Sequence, residues 1–489
     1  MAITVNYEKE PAPGSLKLDS LYCLSMGQVI GAGVITTIVP AIKMTGNSAW
    51  FAYFVAIILG AIIIMPNVFI GSTIRFGGGQ YSLLCGLAGP GIGGVYAWTY
   101  LMKVLSLSLF GSSAAAYLGD IIPALSSHGA RIAVAAFLLS LFWACNMGGV
   151  DIMAFAQKAM SYVLFAALLL YAVMGICKLK YPIFDVSDPG WLTMGWGITV
   201  QDRTIKGGFI GAVLLFIYSC QGYYMTIAYG RDAVNARRDI PRAILLSIPS
   251  ITILYCGCAM AGSGVMSIEE YGSSVTLVYS AREILSPVLF YFFIIGGPIM
   301  ALLTTLNSSF AFNAITIGQS CKDGWLPKWF GKENKKGSYV YILTFMYVVG
   351  MIPVLFGLST TVITNISQLS GSFFAFFNLI AYWQFPKMYK EAWEASKYHV
   401  PNGLYYFFCV GGFALQMVIL WKATLSMSMG WAIANIVAFC LLGSIGFIKL
   451  KSANVGIKFS LWTGNEEWDM KAVKINQERA AKLNGKQTA

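Results

Sequence analysis

The chain has 489 residues, of which 57% are hydrophobic and 11% charged, with ten cysteines, two histidines and a formal net charge of +12. Its mean hydropathy is +0.67. Soluble domains carry about 25% charged residues, so the composition excludes a soluble globular protein and implies an integral membrane one. A positive balance also suits a nucleic-acid binder, but its distribution along the chain argues for membrane orientation instead.

Met1 to Asp19 is polar, mixed in charge and interrupted by Pro11, Pro13 and Gly14. It reads as a flexible cytoplasmic tail rather than a cleavable signal. Beyond it the chain is a succession of apolar stretches, each close to the roughly 20 residues that cross a bilayer as a helix. Twelve segments are predicted, at 20–42, 48–72, 92–119, 131–148, 152–177, 208–230, 241–265, 287–318, 339–357, 360–384, 403–421 and 429–449. With the start of the chain inside, 23 Lys and Arg fall on the cytoplasmic side and eight outside. The positive-inside rule then places both termini in the cytoplasm of a cell-membrane protein, and no nucleic-acid partner is expected.

Segment one carries Ser25-Met-Gly-Gln-Val-Ile-Gly-Ala-Gly-Val-Ile35 in its middle. The Gly31-Ala32-Gly33 triplet weakens a helix that must satisfy its own backbone in lipid. Unwound backbone at membrane depth persists only where protein or a cavity surrounds it, so a break is predicted here. Segment three carries Lys103 about ten residues in, too deep to snorkel easily. Three roles stand open for it: holding a substrate carboxylate, carrying a proton, or pairing with a helix-end carbonyl. Lys158 lies near the cytoplasmic end of segment five, where snorkelling gives it a structural role.

Segment six reads Phe216-Ile-Tyr-Ser-Cys-Gln-Gly-Tyr-Tyr224, with Gln221-Gly222 at its middle. A tolerated glycine in a packed helix explains this equally well in isolation. Its position favours a second break, because the first helix of each of two five-helix blocks is then discontinuous, as in inverted-repeat transporters. The expected fold is an all-α integral membrane protein with two inverted five-helix repeats, about 20–177 and 208–384, within a core of 20–384. Helices at 403–449 are peripheral additions, and 450–489 forms a cytoplasmic tail with a short helix, Glu467 to Leu483. Free amides at a half-helix start attract anions and free carbonyls attract cations, which together suit a zwitterion.

Most cysteines fall in or beside apolar segments, where they act as small hydrophobes, and Cys256-Gly-Cys258 has the wrong spacing for a zinc site. Both His128 and His399 fall in predicted loops. There is no convergent catalytic set, so an enzyme is not expected. A membrane sensor or channel remains the rival from another class, and an amine or polyamine carrier the rival within transport.

At this point the chain resembles the amino acid–polyamine–organocation superfamily, and specifically its amino-acid permeases, over about residues 15 to 450. Gln28-Val-Ile-Gly-Ala-Gly-Val-Ile35 is similar to the Gly-x-Gly-Ile signature of the first helix, and Gly77-Gly-Gly-Gln-Tyr81 to the Gly-Gly-x-Tyr motif after the second. Gly89-Pro-Gly-Ile-Gly-Gly-Val-Tyr-Ala-Trp98, Arg231-Asp-Ala-Val-Asn-Ala-Arg-Arg-Asp-Ile-Pro241 and Lys322-Asp-Gly-Trp-Leu-Pro327 resemble three further motifs, each at the matching helix end. The departures are equally specific. Cys220-Gln221-Gly222 stands where the family often has Tyr-Glu-Gly, and Phe312-Asn313 where many relatives carry arginine. A lysine typical of the fifth helix falls at Leu164.

The resemblance implies a secondary transporter for a small solute, an amino acid or related zwitterion, running as a sodium or proton symporter or as an exchanger. It implies no cofactor beyond the coupling ion. The substrate site would draw on Gln28, Val29, Ile30, Gly31, Ala32 and Gly33 of segment one and on Tyr218, Ser219, Cys220, Gln221, Gly222 and Tyr223 of segment six. In relatives an aromatic at the position of Tyr218 closes over the substrate. Lys103, Asn307 and Ser370 are weaker candidates. Ala301-Leu-Leu-Thr-Thr305 resembles the Ala-x-x-Thr-Ser pattern of sodium-coupled relatives, so the hydroxyls of Thr304 and Thr305 with carbonyls of Gly27, Ile30 and Ala301 form a candidate sodium site. The alternative is that these hydroxyls bond back to their own helix.

Overall fold

A computed structural model describes residues 3–183, 208–272, 276–358, 360–425, 428–452 and 454–485. The architecture is helical, and among the described residues its sheets are two short two-stranded pairs. Among the described residues, eight helical stretches are long and apolar enough to cross a membrane, and Gly208–Ile217 and Val340–Leu355 are shorter apolar helices. Helices lie within a few residues of the predicted segments, as in Val150–Ile176 for segment five and Ala236–Val265 for segment seven.

Four segments are not single uniform helices. Segment one divides into α1 (Leu18–Val29) and α2 (Ala32–Thr45). Next comes α3 (Ala49–Thr73), which packs along the Ala236–Val265 helix. Segment three is α-helical over Pro90–Thr99 and Ser106–Ile121 but tightens to a 3-10 helix over Tyr100–Leu105, which contains Lys103. Stretches of 3-10 geometry inside a helix often mark functional hinges. Segment six runs as an α-helix to Ile217, a 3-10 turn over Tyr218–Cys220, a break at Gln221 and Gly222, and a second 3-10 helix over Tyr223–Gly230. Segment eight holds a π-helical turn at Ile295–Ile299, where Gly296-Gly297-Pro298 interrupts the ladder, before the helix Met300–Asp323 begins. The 3-10 and π turns were not predicted, because neither alters the apolar period.

The two ends of the chain do not form free tails. Strand β1 (Ile3–Tyr7) pairs in parallel with β3 (Val455–Phe459), Ile3 opposite Val455 and Tyr7 opposite Phe459. Strand β2 (Arg75–Phe76) pairs antiparallel with β4 (Leu461–Trp462). This corrects the expectation of a flexible stretch before Asp19. Ile3 and Val5 are buried while Thr4 and Asn6 face outward, the alternation of a half-buried strand. The helix Glu466–Gly485 then packs on β1.

Charges hold this assembly to the helix ends. Arg231 pairs with Glu8 at 2.7 Å, and Arg237 with Glu10 at 3.0 Å. The Arg231 guanidinium lies 5.2 Å from the Trp462 ring centre, and the Trp462 indole N–H donates to the Glu8 carbonyl. Arg75 is 6% exposed; it donates to the carbonyls of Pro11, Ala12, Gly230 and Arg231 and pairs with Glu10 at 3.3 Å. Removing such a side chain strands buried acceptors. Arg75→Ala is expected to destabilise the purified protein by roughly 3 kcal/mol, read as a lowered melting midpoint; an unchanged midpoint would mean the tails are not held this way.

Two of the sequence motifs meet at this face. The Tyr81 hydroxyl donates to the Asp323 carboxylate at 2.6 Å, and the Lys458 amide donates to the same carboxylate at 3.1 Å. Thus the Gly-Gly-Gln-Tyr and Lys-Asp-Gly-Trp motifs and the C-terminal strand β3 share one buried polar contact. Lys158 pairs with Asp19 at 2.7 Å on this side, the structural role its position suggests.

Candidate binding site between two broken helices

The two breaks face each other. In segment one, Ile30 (φ −80°, ψ 80°) and Gly31 (φ −109°, ψ −153°) leave the helical region, and the Gly31 amide turns back to the Val29 carbonyl at 2.9 Å. In segment six, Gly222 has φ +116°, a conformation that favours glycine. A Cβ at Gly222 would sit 2.5 Å from the Gln28 carbonyl oxygen, and one at Gly33 2.5 Å from Ser219 Cβ. Glycine at both places lets the two unwound backbones touch.

One residue of segment seven joins them. The buried Tyr255 hydroxyl lies 2.9 Å from the Val29 carbonyl and 3.4 Å from the Ser219 carbonyl. Tyr53 adds a 2.7 Å hydrogen bond to the Ser219 hydroxyl, and its ring stacks on Phe216 with centres 3.7 Å apart. The freed carbonyls are therefore partly satisfied by protein, as buried backbone requires.

A cavity of about 460 Å³ lies against both breaks. Gln28, Val29, Gly31 and Gly33 line it from segment one, and Ser219, Gln221 and Gly222 from segment six. Lys103 lines it from the 3-10 stretch of segment three, and Thr305 from segment eight. The first turn of α2 has no side-chain cap, and amides at a helix start attract anions. Gln221 accepts from Gln416 of segment eleven at 3.0 Å, while its own amide nitrogen is buried without a partner among the described residues. Gln28 donates to Ser308 and, at 3.4 Å, to the Thr305 carbonyl.

Other predicted residues are placed elsewhere. Ile30, Cys220 and Tyr223 are fully buried and do not line the cavity; Cys220 instead packs against Gly60. Asn307 is a correction too. Its amide donates to Gln157 at 2.9 Å and to the Met153 carbonyl at 3.1 Å, and it accepts from Asn146 at 3.1 Å, so it ties segments four, five and eight together. The side chains of Ala32, Tyr218 and Ser370 lie outside the described residues.

Both hydroxyls of the candidate ion site bond back to the Ala301 carbonyl of their own helix, the alternative expected from the sequence, and Thr305 also reaches segment one. Thr305 Oγ1 lies 2.8 Å from the Gly27 carbonyl on segment one and 2.9 Å from the Ala301 carbonyl on its own helix. Thr304 Oγ1 is 3.0 Å from the Ala301 carbonyl. A single hydroxyl proton cannot fully serve both carbonyls around Thr305, and uncharged oxygen donors suit a hard cation. Sequence reasoning missed Gln157 here. Leu164, where the lysine of relatives falls, is buried in packing, whereas Gln157 reaches across to the Cys23 carbonyl at 3.3 Å. Its signal was an amide two turns before Leu164 on a face that also carries the buried Ser161, which reaches the same Cys23 carbonyl at 3.3 Å.

Broken helices that meet at a cavity among apolar spanning helices define a multi-pass membrane transporter. The amino acid permease family model matches residues 16–463, and the chain belongs to that family of the amino acid–polyamine–organocation superfamily. It is 22% identical over 334 residues to an uncharacterized protein of Methanocaldococcus jannaschii, covering 66% of this chain and 73% of that one. It is also 22% identical over 319 residues to an uncharacterized transporter of Mycobacterium tuberculosis, covering 64% and 67% of the two chains.

Proposed function

We propose that this protein is a secondary active transporter that carries a small amino acid or related zwitterion across the cell membrane by alternating access. The observation that carries the reading is the cavity against both breaks, lined at once by the uncapped start of α2 and by Lys103. A carboxylate placed there meets backbone amides at the positive end of a helix. In this reading the chain spans the membrane twelve times as two inverted repeats with two added helices. The face that carries the paired chain ends is cytoplasmic, in line with the charge asymmetry. An amine or polyamine cargo is disfavoured, because no Asp or Glu lines the cavity among the described residues.

Sodium is the coupling ion this reading favours. The residues fit it: the Gly27 and Ala301 carbonyls and the Thr304 and Thr305 hydroxyls converge without a competing charge. A bound ion there would bridge segments one and eight beside the cavity and so tie ion binding to closure around the solute. Thr305→Ala removes one of those oxygens. In proteoliposomes the variant is expected to lose sodium stimulation of uptake while retaining a basal rate. An unchanged sodium response would remove the ion from this position and leave proton coupling or exchange.

A further inference from the structure

A zwitterion needs as much help with its ammonium as with its carboxylate, and the cavity is unequal in this respect. On the side that attracts anions stand the uncapped amides of α2, the Lys103 ammonium and the Lys422 ammonium. Lys422 donates to the Gly211 carbonyl at 3.3 Å, near the start of segment six, whereas Lys103 has no ion pair or hydrogen bond through its ammonium among the described residues. The unpartnered amide nitrogen of Gln221 adds another donor.

The carbonyls freed at the breaks are partly engaged. The Val29 carbonyl accepts from Tyr255 and from the Gly31 amide, and the Ser219 carbonyl lies against Tyr255. No carboxylate lines the cavity among the described residues. Among the described residues, the Gln80 side-chain oxygen and the Ser367 hydroxyl line the cavity without a partner, and each can take one ammonium or hydroxyl group.

A cation facing no anion is costly in a membrane interior. A solute that brings net negative charge relieves that cost; a neutral zwitterion does so only in part. We infer that the cargo is a small dicarboxylate with net negative charge, of the acidic amino acid type: one carboxylate on the start of α2, the other on Lys103. The inference rests on the transporter reading above and narrows its substrate class.

L-Glutamate and L-glutamine are close in shape and differ in that charge, so they separate the two readings. Uptake of each into proteoliposomes is compared for the wild type, Lys103→Gln and Lys103→Arg. The wild type is expected to take up glutamate with a KM at least roughly tenfold below that for glutamine. Lys103→Gln should raise the glutamate KM by roughly tenfold or more and leave that of glutamine within about twofold, and Lys103→Arg should restore most of the difference. Glutamine preferred over glutamate in the wild type, or an equal effect of Lys103→Gln on both, would overturn the inference while the transporter reading stands. Movement of no charged or neutral solute would sink both.

Discussion

Gly31→Leu is expected to reduce uptake to background in proteoliposomes while the purified protein keeps its size-exclusion profile. Gly31 sits at the break in segment one and lines the cavity. Its φ of −109° is open to any residue, so the substitution does not fail on backbone grounds. Space is the obstacle. A Cβ alone would lie 3.1 Å from Thr305 Oγ1, and the rest of a leucine side chain must enter the cavity or displace Thr305. Under the proposed function both outcomes remove transport, the first by occupying the cavity and the second by moving an oxygen of the proposed ion site. Transport at the wild-type rate would show that the cavity at the break is not the path.

Gly222→Ala is the second large effect, and its origin differs. At φ +116° an alanine is strained by roughly 1–3 kcal/mol from the backbone alone. Its methyl would also stand 2.5 Å from the Gln28 carbonyl oxygen, so the two breaks must separate. Displacements near 1 Å at a site can cost roughly a hundredfold in rate. The variant is expected to show a lowered melting midpoint and at least a tenfold fall in uptake. Gly211→Ala is the control: it lies in the same segment, and its Cβ would meet Met44 Sδ at an ordinary 3.6 Å. Equal losses in the two variants would mean that close contact of the breaks is unimportant.

The parts of the fold that were legible in the sequence follow from the bilayer. Apolar runs long enough to cross it had to be helices, and the glycines that interrupt them could be read as breaks because lipid does not tolerate unsatisfied backbone. Gly31 and Gly222 are the clearest examples. The site was legible only as far as those breaks. Lys103 could be located by depth but not by surroundings, since the 3-10 tightening of Tyr100–Leu105 leaves no mark on the apolar pattern. Asn307 was misplaced because a polar residue on a spanning helix can face a cavity or another polar residue, and here it meets Gln157 and Asn146. The pairing of β1 with β3 joins residues at opposite ends of the chain, and periodicity in either strand says nothing of its partner. Pro11, Pro13 and Gly14 suggested freedom, yet the carbonyls of Pro11 and Ala12 are acceptors for the buried Arg75.

The tail assembly also bears on the proposed alternating access. It joins both chain ends to Arg75, Arg231 and Arg237, at or beyond the ends of segments two and six. Any movement of segment six that opened the cavity toward this face would have to break the Glu8 and Trp462 contacts of Arg231. The fold thus couples the two broken segments at the cavity and braces one of them at the tail-bearing face.

Counterflow tests the central claim most directly. Sealed proteoliposomes preloaded with unlabelled amino acids, acidic and neutral, are diluted into a trace of the same labelled solute. A carrier whose single site faces each side in turn must show faster and transiently concentrated entry of label into the preloaded vesicles, and Gly31→Leu must abolish it. Entry that is indifferent to preloading, or a response that Gly31→Leu leaves intact, would contradict the assignment of transport to the cavity between the two broken helices.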